Sequence, residues 1–349
     1  MTPVDVVVVG GGFAGVATAW ALARDGVRNG VLLEREPLLG AHASGRNAGM
    51  LRQAEADPTL RRLAVRSTAT IRTLDQGSQH LFRPTGGLLI ASGSYVDTLR
   101  NIARGMREDD HIAAELLSNQ AACLRFPELD AFSFDAALLS PEDGVVDIHA
   151  LLSTYAAGAR QAGWTFVTGC HVEQLWLEAG HIAGVHTSTG DFRSTSVVLA
   201  LGAWASELGS LTVTPYRRHL VMSGPSSRLT RNSPFIWDIG AGYYARSESD
   251  GVLLSPCDEE AFPAGSPEVS QEALTRLAGL IDTHAPGLRD LGVRRSWACL
   301  RTFAPDRRPV IGPDPHVPGL YYVAGLGGFG VTTSPCVGEM ASKHVRGVA

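Results

Sequence analysis

The chain reads as an α/β protein of two interleaved parts: a helix-covered parallel sheet, and a mixed or antiparallel sheet with a few helices. Three observations predict this class. A β-branched run at 5–9 flows into glycines and then into an alanine-rich helical stretch at 13–24. A second strand at 30–33 follows at the spacing of a βαβ unit and ends on Glu34. From Val213 to about Leu300 the pattern changes to short strand-like runs separated by Gly, Pro and Ser turns. At 349 residues the chain is long enough for two domains with separate cores.

Charge and cysteine usage exclude several function classes. The formal net charge is −5 and no Lys/Arg run forms a phosphate-tracking stripe, which argues against a nucleic-acid partner. Lys343 is the only lysine, so lysine-based catalysis is not expected. The five cysteines are widely spaced with no CxxC pair, which argues against a disulfide framework or a structural zinc site and for a reducing compartment. The opening residues have neither the charged region of a signal peptide nor the length of a membrane span. The expected location is cytoplasmic, with peripheral membrane association as the alternative.

The first glycines have a specific reading. Gly10, Gly12 and Gly15 stand in GxGxxG spacing between strand and helix. Gly10 permits the tight turn, Gly12 lets backbone approach a pyrophosphate, and Gly15 lets the helix pack closely. Phe13 and Ala14 then open a helix whose N-terminus faces the negative charge. Glu34 stands where a carboxylate takes the adenosine ribose hydroxyls. Strand, glycines, helix, strand and acid in that order predict dinucleotide binding.

The stretches VVVVGGGFAGVATAWALARDG and VLLEREPLLGAHASGRNAGM resemble the FAD-dependent D-amino-acid oxidase and dehydrogenase superfamily, which includes glycine oxidase, sarcosine oxidase and D-arginine dehydrogenase. The resemblance implies a Rossmann-like, glutathione-reductase-like FAD-binding domain at 1–85, 140–212 and 302–349. It assigns 86–139 and 213–301 to the substrate domain. It places Glu34 on the ribose, Arg35 near the adenine, and Ser44, Gly45, Arg46, Asn47, Ala48, Gly49 and Met50 along pyrophosphate and isoalloxazine. A domain that binds only NAD has no need of that second loop.

The remaining elements follow in order. Residues 57–79 have helical spacing, with Leu60, Leu63, Ala64, Ser67, Ile71 and Leu74 on one face. A strand is expected at 86–90, a helix at 95–109, and a helix at 113–126 stopped by Pro127. The turn-rich 140–147 reads as a crossover before a helix at 148–161. Strands at 164–168, 170–177 and 182–187 suggest an antiparallel excursion, and the resemblance turns the Val172 backbone toward the adenine. The strand at 194–200 leads to Gly202, Ala203 and Trp204, a turn the resemblance places at the cofactor.

Short strands are expected around 213–215, 220–222, 235–239, 243–244 and 252–254, with helices at 270–281 and 285–288. The closing strand at 320–323 runs into Gly325, Gly327, Gly328, Phe329, Gly330, Val331 and Thr332, followed by a helix. In the resembled family this loop passes the flavin pyrimidine edge; the alternative is a glycine loop required by packing.

Arg301 is the best candidate carboxylate anchor, because a guanidinium offers a bidentate fork to a planar carboxylate. The segment ACLRTF resembles the one that carries that arginine in D-arginine dehydrogenase and glycine oxidase; the alternative is an ion pair with Asp306. Tyr244 matches an aromatic that supplies a hydroxyl to the same carboxylate, with Tyr243 as its competitor. Arg217 and Arg218 both stand at the position of another active-site arginine, and the sequence does not choose between them. Met50 replaces a histidine found in D-arginine dehydrogenase, and the run RNAGML instead looks like that of glycine oxidase. Glu55 either faces a cationic substrate or is a solvated carboxylate at a helix start, and His42 is expected to pack within its loop.

The resemblance, with these residues, implies hydride transfer from a D-amino acid to FAD, followed by hydrolysis of the imino acid. Glycine or N-methylamino-acid oxidation, and a flavin-binding subunit without chemistry of its own, are the alternatives. Leu253 stands where monomeric sarcosine oxidase has an oxygen-activating lysine, so the expected acceptor is a quinone or a protein. Cys299 falls on the cysteine that bonds to flavin in the sarcosine-oxidase branch. Arg301 ties the chain to the noncovalent branch, and an unbonded Cys299 is expected.

Overall fold

The computed structural model describes residues 3–75 and 81–348, so the end of the helix expected over 57–79 lies outside them. Six strands form the first sheet, in the order Val310–Pro313, Leu320–Ala324, Val197–Leu199, Val6–Val9, Gly30–Glu34, Thr165–Thr168. All neighbours are parallel except the edge strand Val310–Pro313. The unbroken valine run of Val6–Val9 is central and buried on both faces, as such a sequence requires.

Helices Phe13–Arg24, Ile148–Gln161 and Ser334–Val345 cover one face through Val16, Leu22, Leu152, Tyr155 and Val337. A three-stranded sheet, Val172–Glu178, His181–Thr187 and Phe192–Arg193, covers the other through Val172, Ile182 and Val185. The glycine spacing acts here through contact distance. A Cβ on Gly15 would lie 1.9 Å from the Gly10 carbonyl oxygen, so the first helix rests directly on the turn before it.

The second sheet has nine strands, with Phe235–Asp238 running parallel to Gly87–Ala91 at its centre. One face is packed by helices Asn119–Arg125 and Gln271–His284 around Val221, Tyr243, Leu254, Leu277 and Ile281. The opposite face presents Leu220, Met222, Tyr244, Leu253 and Cys299, which pack against Ala48 and Met50. Two sheets, one parallel and nucleotide-like and one mixed, are the expected fold class.

Two local expectations are corrected, and one strand is added. The helix expected over 113–126 is a strand, Glu115–Ser118, followed by a helix, Asn119–Arg125. The turn-rich 140–147 contains the strand Gly144–Val146, which pairs with both Met50–Leu51 and Phe82–Arg83. The segment around Arg301, for which the sequence reading assigns no element, belongs to Val293–Phe303, an eleven-residue strand laid along Thr214–Pro225. No described helix is long and apolar enough to cross a membrane.

Candidate functional site

A long cleft runs from Glu34 and Arg35, past the Gly10–Gly12 turn, to Tyr244 and Arg301. Its first half is built from backbone. Gly10 sits at φ 112°, which orients the turn, and the Gly11 N–H donates to Glu34 Oε2 at 2.6 Å. Phe13 N–H donates to Ser44 Oγ at 2.9 Å, so the loop after Glu34 is tied to the start of the helix. A Cβ on Gly12 would lie 2.9 Å from that same hydroxyl, and glycine keeps the passage open.

Glu34 Oε1 accepts the Glu36 N–H at 2.8 Å, which holds the carboxylate at the cleft wall. Arg35 stacks 3.9 Å from the Trp204 ring centroid, and Trp204 in turn meets His42 at 4.6 Å. The His42 ring lies 2.8 Å from Glu36 Oε1, and this contact holds the Glu36 carboxyl below its ordinary pKa. Val172 and Gly202 complete the wall near Glu34. A glycine turn, a helix N-terminus and a strand-end carboxylate on one open channel fit FAD, and Gly10, Gly12, Phe13, Ala14, Glu34 and Ser44 are the residues that would hold it.

Further along, Arg46, Asn47 and Ala48 line the cleft on one side, and Gly325, Gly327, Gly328, Gly330 and Val331 on the other. Arg46 is fixed by its own backbone, whose carbonyl accepts the Trp297 indole N–H at 2.9 Å. Other expected residues do not line it. Gly15 and Gly45 serve close backbone approach, a Cβ on Gly45 meeting the Gly40 oxygen at 2.4 Å. Gly49 occupies the left-handed region at φ 60°. Met50 packs beside Tyr244 and accepts the Thr332 hydroxyl at its carbonyl, 3.2 Å away. Phe329 lies under Arg52.

The glycine loop is explained by what it faces. A Cβ on Gly327 would lie 2.4 Å from the Phe303 ring, and one on Gly328 would lie 2.9 Å from an Arg301 guanidinium nitrogen. The loop therefore makes room for the arginine. The Arg301 guanidinium forms no hydrogen bond or ion pair among the described residues, and Asp306 instead accepts the Arg308 N–H at 3.0 Å.

Strand register separates Arg217 from Arg218. Tyr216 pairs with Arg301, Arg217 with Leu300, and Arg218 with Cys299. Side chains alternate along a strand, so Arg218 shares a face with Cys299 and Arg301 while Arg217 points the other way. Arg217 pairs there with Glu260 and stacks on Phe262. Arg218 is 3% exposed, donates to the Asp258 carbonyl at 2.6 Å and to Glu259 at 3.1 Å, and has a buried Nη1 with no partner among the described residues. Burial, and next the neighbouring Arg301, push its pKa down.

Tyr244 is fully buried, and its hydroxyl likewise has no partner among the described residues. Burial raises its pKa, with Arg301 opposing. Tyr243 faces away, donating to the His284 carbonyl at 3.1 Å. Tyr244 and Arg301 line the same end of the cleft, and the orphaned Arg218 Nη1 is buried near them, outside the cleft lining. Buried polar atoms left unpaired are costly, and a ligand oxygen would satisfy them.

Sequence reasoning missed Arg52 and Cys257. Arg52 lies 4.4 Å from the Trp237 centroid and 5.1 Å from that of Phe329, and it pairs with Glu55 at 2.6 Å. Glu55 is thereby neutralised instead of standing free for a cationic substrate. Cys257, at φ 46°, packs in the same cluster as Tyr244 and Cys299. Nothing in the sequence signals a positive φ at a cysteine.

The chain matches the family model described as FAD-dependent oxidoreductase over residues 5–344. It is 26% identical over 369 residues to human mitochondrial dimethylglycine dehydrogenase, covering 98% of this chain but only 42% of that protein. It therefore spans less than half the length of that relative. It is 28% identical over 344 residues to sarcosine oxidase subunit beta of Rhizobium meliloti, covering 94% of this chain and 81% of the relative. Its fold is similar to that of L-proline dehydrogenase from P. horikoshii, with a TM-score of 0.89, 23% identity and coverage of 98% and 92% of the two chains. With the glycine turn, the strand-end carboxylate and a match over nearly its whole length, the chain belongs to the FAD-dependent oxidoreductase family and takes FAD as its cofactor.

Proposed function

We propose that the chain dehydrogenates the amine of a small amino acid whose free carboxylate is held by Arg301, Arg218 and Tyr244. The observation that carries this reading is the unpartnered Arg301 fork beside the orphaned Arg218 Nη1 and Tyr244 hydroxyl. Arg301 would take the carboxylate bidentately. Tyr244 stays protonated, because burial raises its pKa, and so remains a donor. The substrate amine must be neutral to give up hydride, and two guanidiniums nearby disfavour its ammonium form. Ala48 and Leu220 give the cleft an apolar wall, backed by Leu253. FAD, when bound, supplies the hydride acceptor.

The family resemblance of the sequence points to a D-amino acid. The names of the two relatives favour an N-methylated glycine as the second reading, and the subunit name favours a chain that works within a larger assembly. Leu253, 1% exposed, brings no charge to the site, and Arg246 across the strand is ion-paired with Glu248. That supports an acceptor other than oxygen, such as a quinone or a protein. Burial also raises the Cys299 thiol pKa, which disfavours the thiolate needed for a flavin bond.

The test is anaerobic bleaching of the yellow protein by D-amino acids, L-amino acids, glycine, sarcosine and dimethylglycine. Bleaching by one of these classes is expected; a chain that stays yellow with all of them is a flavin-binding subunit without this chemistry. Acid precipitation of the same sample is expected to release the colour into the supernatant.

A further inference from the structure

Behind the loop 47–49 lies a second cavity, of about 520 Å³, lined by three arginines from three separate segments. Arg83 comes from the short strand Phe82–Arg83, Arg231 from the turn after Thr214–Pro225, and Arg246 from Tyr243–Glu248. Like charges brought together by distant segments repel, so the arrangement costs free energy that a counter-charge would recover. Burial, then the proximity of Arg231 and Arg246, lower the Arg83 pKa, with Glu248 opposing.

The protein's own acids supply that counter-charge only in part, although Glu248 and Asp147 also line the cavity. Glu248 is taken by Arg246. Asp147 caps the helix Ile148–Gln161, accepting the N–H groups of His149 at 3.0 Å and Ala150 at 2.9 Å. Arg83 and Arg231 have no carboxylate partner among the described residues, and Arg83 donates only to the Arg231 carbonyl, at 3.1 Å. Arg246 is 6% exposed in its side chain, and its buried Nε has no partner among the described residues. Its Nη1 donates to the Ser247 carbonyl at 2.8 Å, which fixes the fork in place. The N-terminal turn of Ile148–Gln161, through Ile148 and His149, borders the same space, with the capping Asp147 carboxylate set against its dipole.

We propose that this cavity is a second binding site, for a small molecule that presents a phosphate or carboxylate group to Arg83, Arg231 and Arg246. Guanidinium forks match both oxyanions, and the volume suits a small molecule better than a bare ion. The site is separate from the carboxylate clamp at Arg301 and does not rest on it. Asn47 lines both cavities, so the occupant sits one loop away from the cofactor cleft.

Calorimetric titration of the FAD-loaded protein at low salt, with inorganic phosphate, glycerol phosphate and succinate, tests the proposal. Saturable binding of at least one probe is expected. It should persist in Arg301→Ala, which separates it from the substrate clamp, and weaken at least about tenfold in Arg83→Gln and in Arg231→Gln, since a charge-assisted contact is lost. Preference for glycerol phosphate identifies a phosphorylated ligand, and preference for succinate a carboxylate. Three results overturn the site: no binding of any probe, equal binding in both glutamine variants, or binding abolished by Arg301→Ala.

Discussion

The parallel sheet shapes its half of the cleft by leaving side chains out, whereas the nine-stranded sheet shapes its half by pointing long side chains in. At the Gly10–Gly12 turn the functional groups are backbone N–H groups, and the determinants lie within a few residues of one another. At the other end the functional groups are Arg218, Tyr244 and Arg301, from three strands whose register aligns residues far apart in the chain. The first half is therefore sensitive to added volume, and the second to lost charge. The glycine loop 325–330 joins the two modes, because Gly328 is small so that Arg301 can be large.

Substitutions can break this contrast, beginning with the largest effect. Gly15→Ala places a methyl 1.9 Å from a backbone oxygen that cannot yield, and should destabilise by about 3 kcal/mol or more while depleting bound FAD. Thermal unfolding and the flavin content of the purified protein check this; an unchanged melting temperature contradicts it. Arg301→Ala should do the opposite, keeping FAD while lowering kcat/KM by about two to three orders of magnitude. Steady-state kinetics with unchanged efficiency would remove Arg301 from the clamp.

Asp143 sharpens the comparison where the two halves meet. It is fully buried, with Oδ1 accepting the Gln53 backbone and side-chain N–H groups at 3.0 and 3.1 Å and Oδ2 unpaired among the described residues. Burial raises its pKa from 3.8 to about 6. The folded state thus holds the proton more tightly than the unfolded one. The resulting stabilisation is complete below the unfolded value and is lost as pH rises through about 6, on the order of 3 kcal/mol in all. Asp143→Asn mimics the protonated form, so denaturant unfolding should find it close to wild type at acid pH and more stable than wild type at about pH 8. Equal pH profiles for the two proteins would contradict a buried, proton-holding Asp143.

The smallest effect distinguishes neighbours on one strand. Arg218→Gln should lower kcat/KM by about 10- to 100-fold, because it removes a charged donor from the clamp face, while Arg217→Gln should change it little. Measuring KM and kcat separately for both variants checks the register. Equal losses would mean that strand alternation does not sort their roles.

Legibility in the sequence followed the same divide. The helices Phe13–Arg24 and Ile148–Gln161 begin and end at the expected residues, because the glycine turn and alanine-rich run of the first, and the turn-rich 140–147 before the second, are local signals. The strand Val293–Phe303 carries no clear signal because the residues on the face of Arg301, Arg295, Trp297 and Cys299 with it, mix charge with apolar bulk and blur the period-2 pattern. Glu115–Ser118 was absorbed into a helix because no breaker separates them; Ser118 itself caps the helix by accepting the Ala121 N–H. Arg301 and Tyr244 were found through motif resemblance, but the choice of Arg218 over Arg217 needed a register that only the folded sheet defines. Arg52 and Cys257 carried no signal, since their places depend on packing against Trp237, Phe329 and Tyr244.

The carboxylate clamp is most directly tested by anaerobic reduction of the FAD-loaded protein with matched pairs of amines, each amino acid beside its decarboxylated analogue. The clamp predicts that a reactive amino acid bleaches the flavin in wild type, that its decarboxylated partner is slower by about two orders of magnitude or more, and that Arg301→Ala erases most of that difference. Equal bleaching by both members of a pair in wild type would contradict a site built to hold a carboxylate.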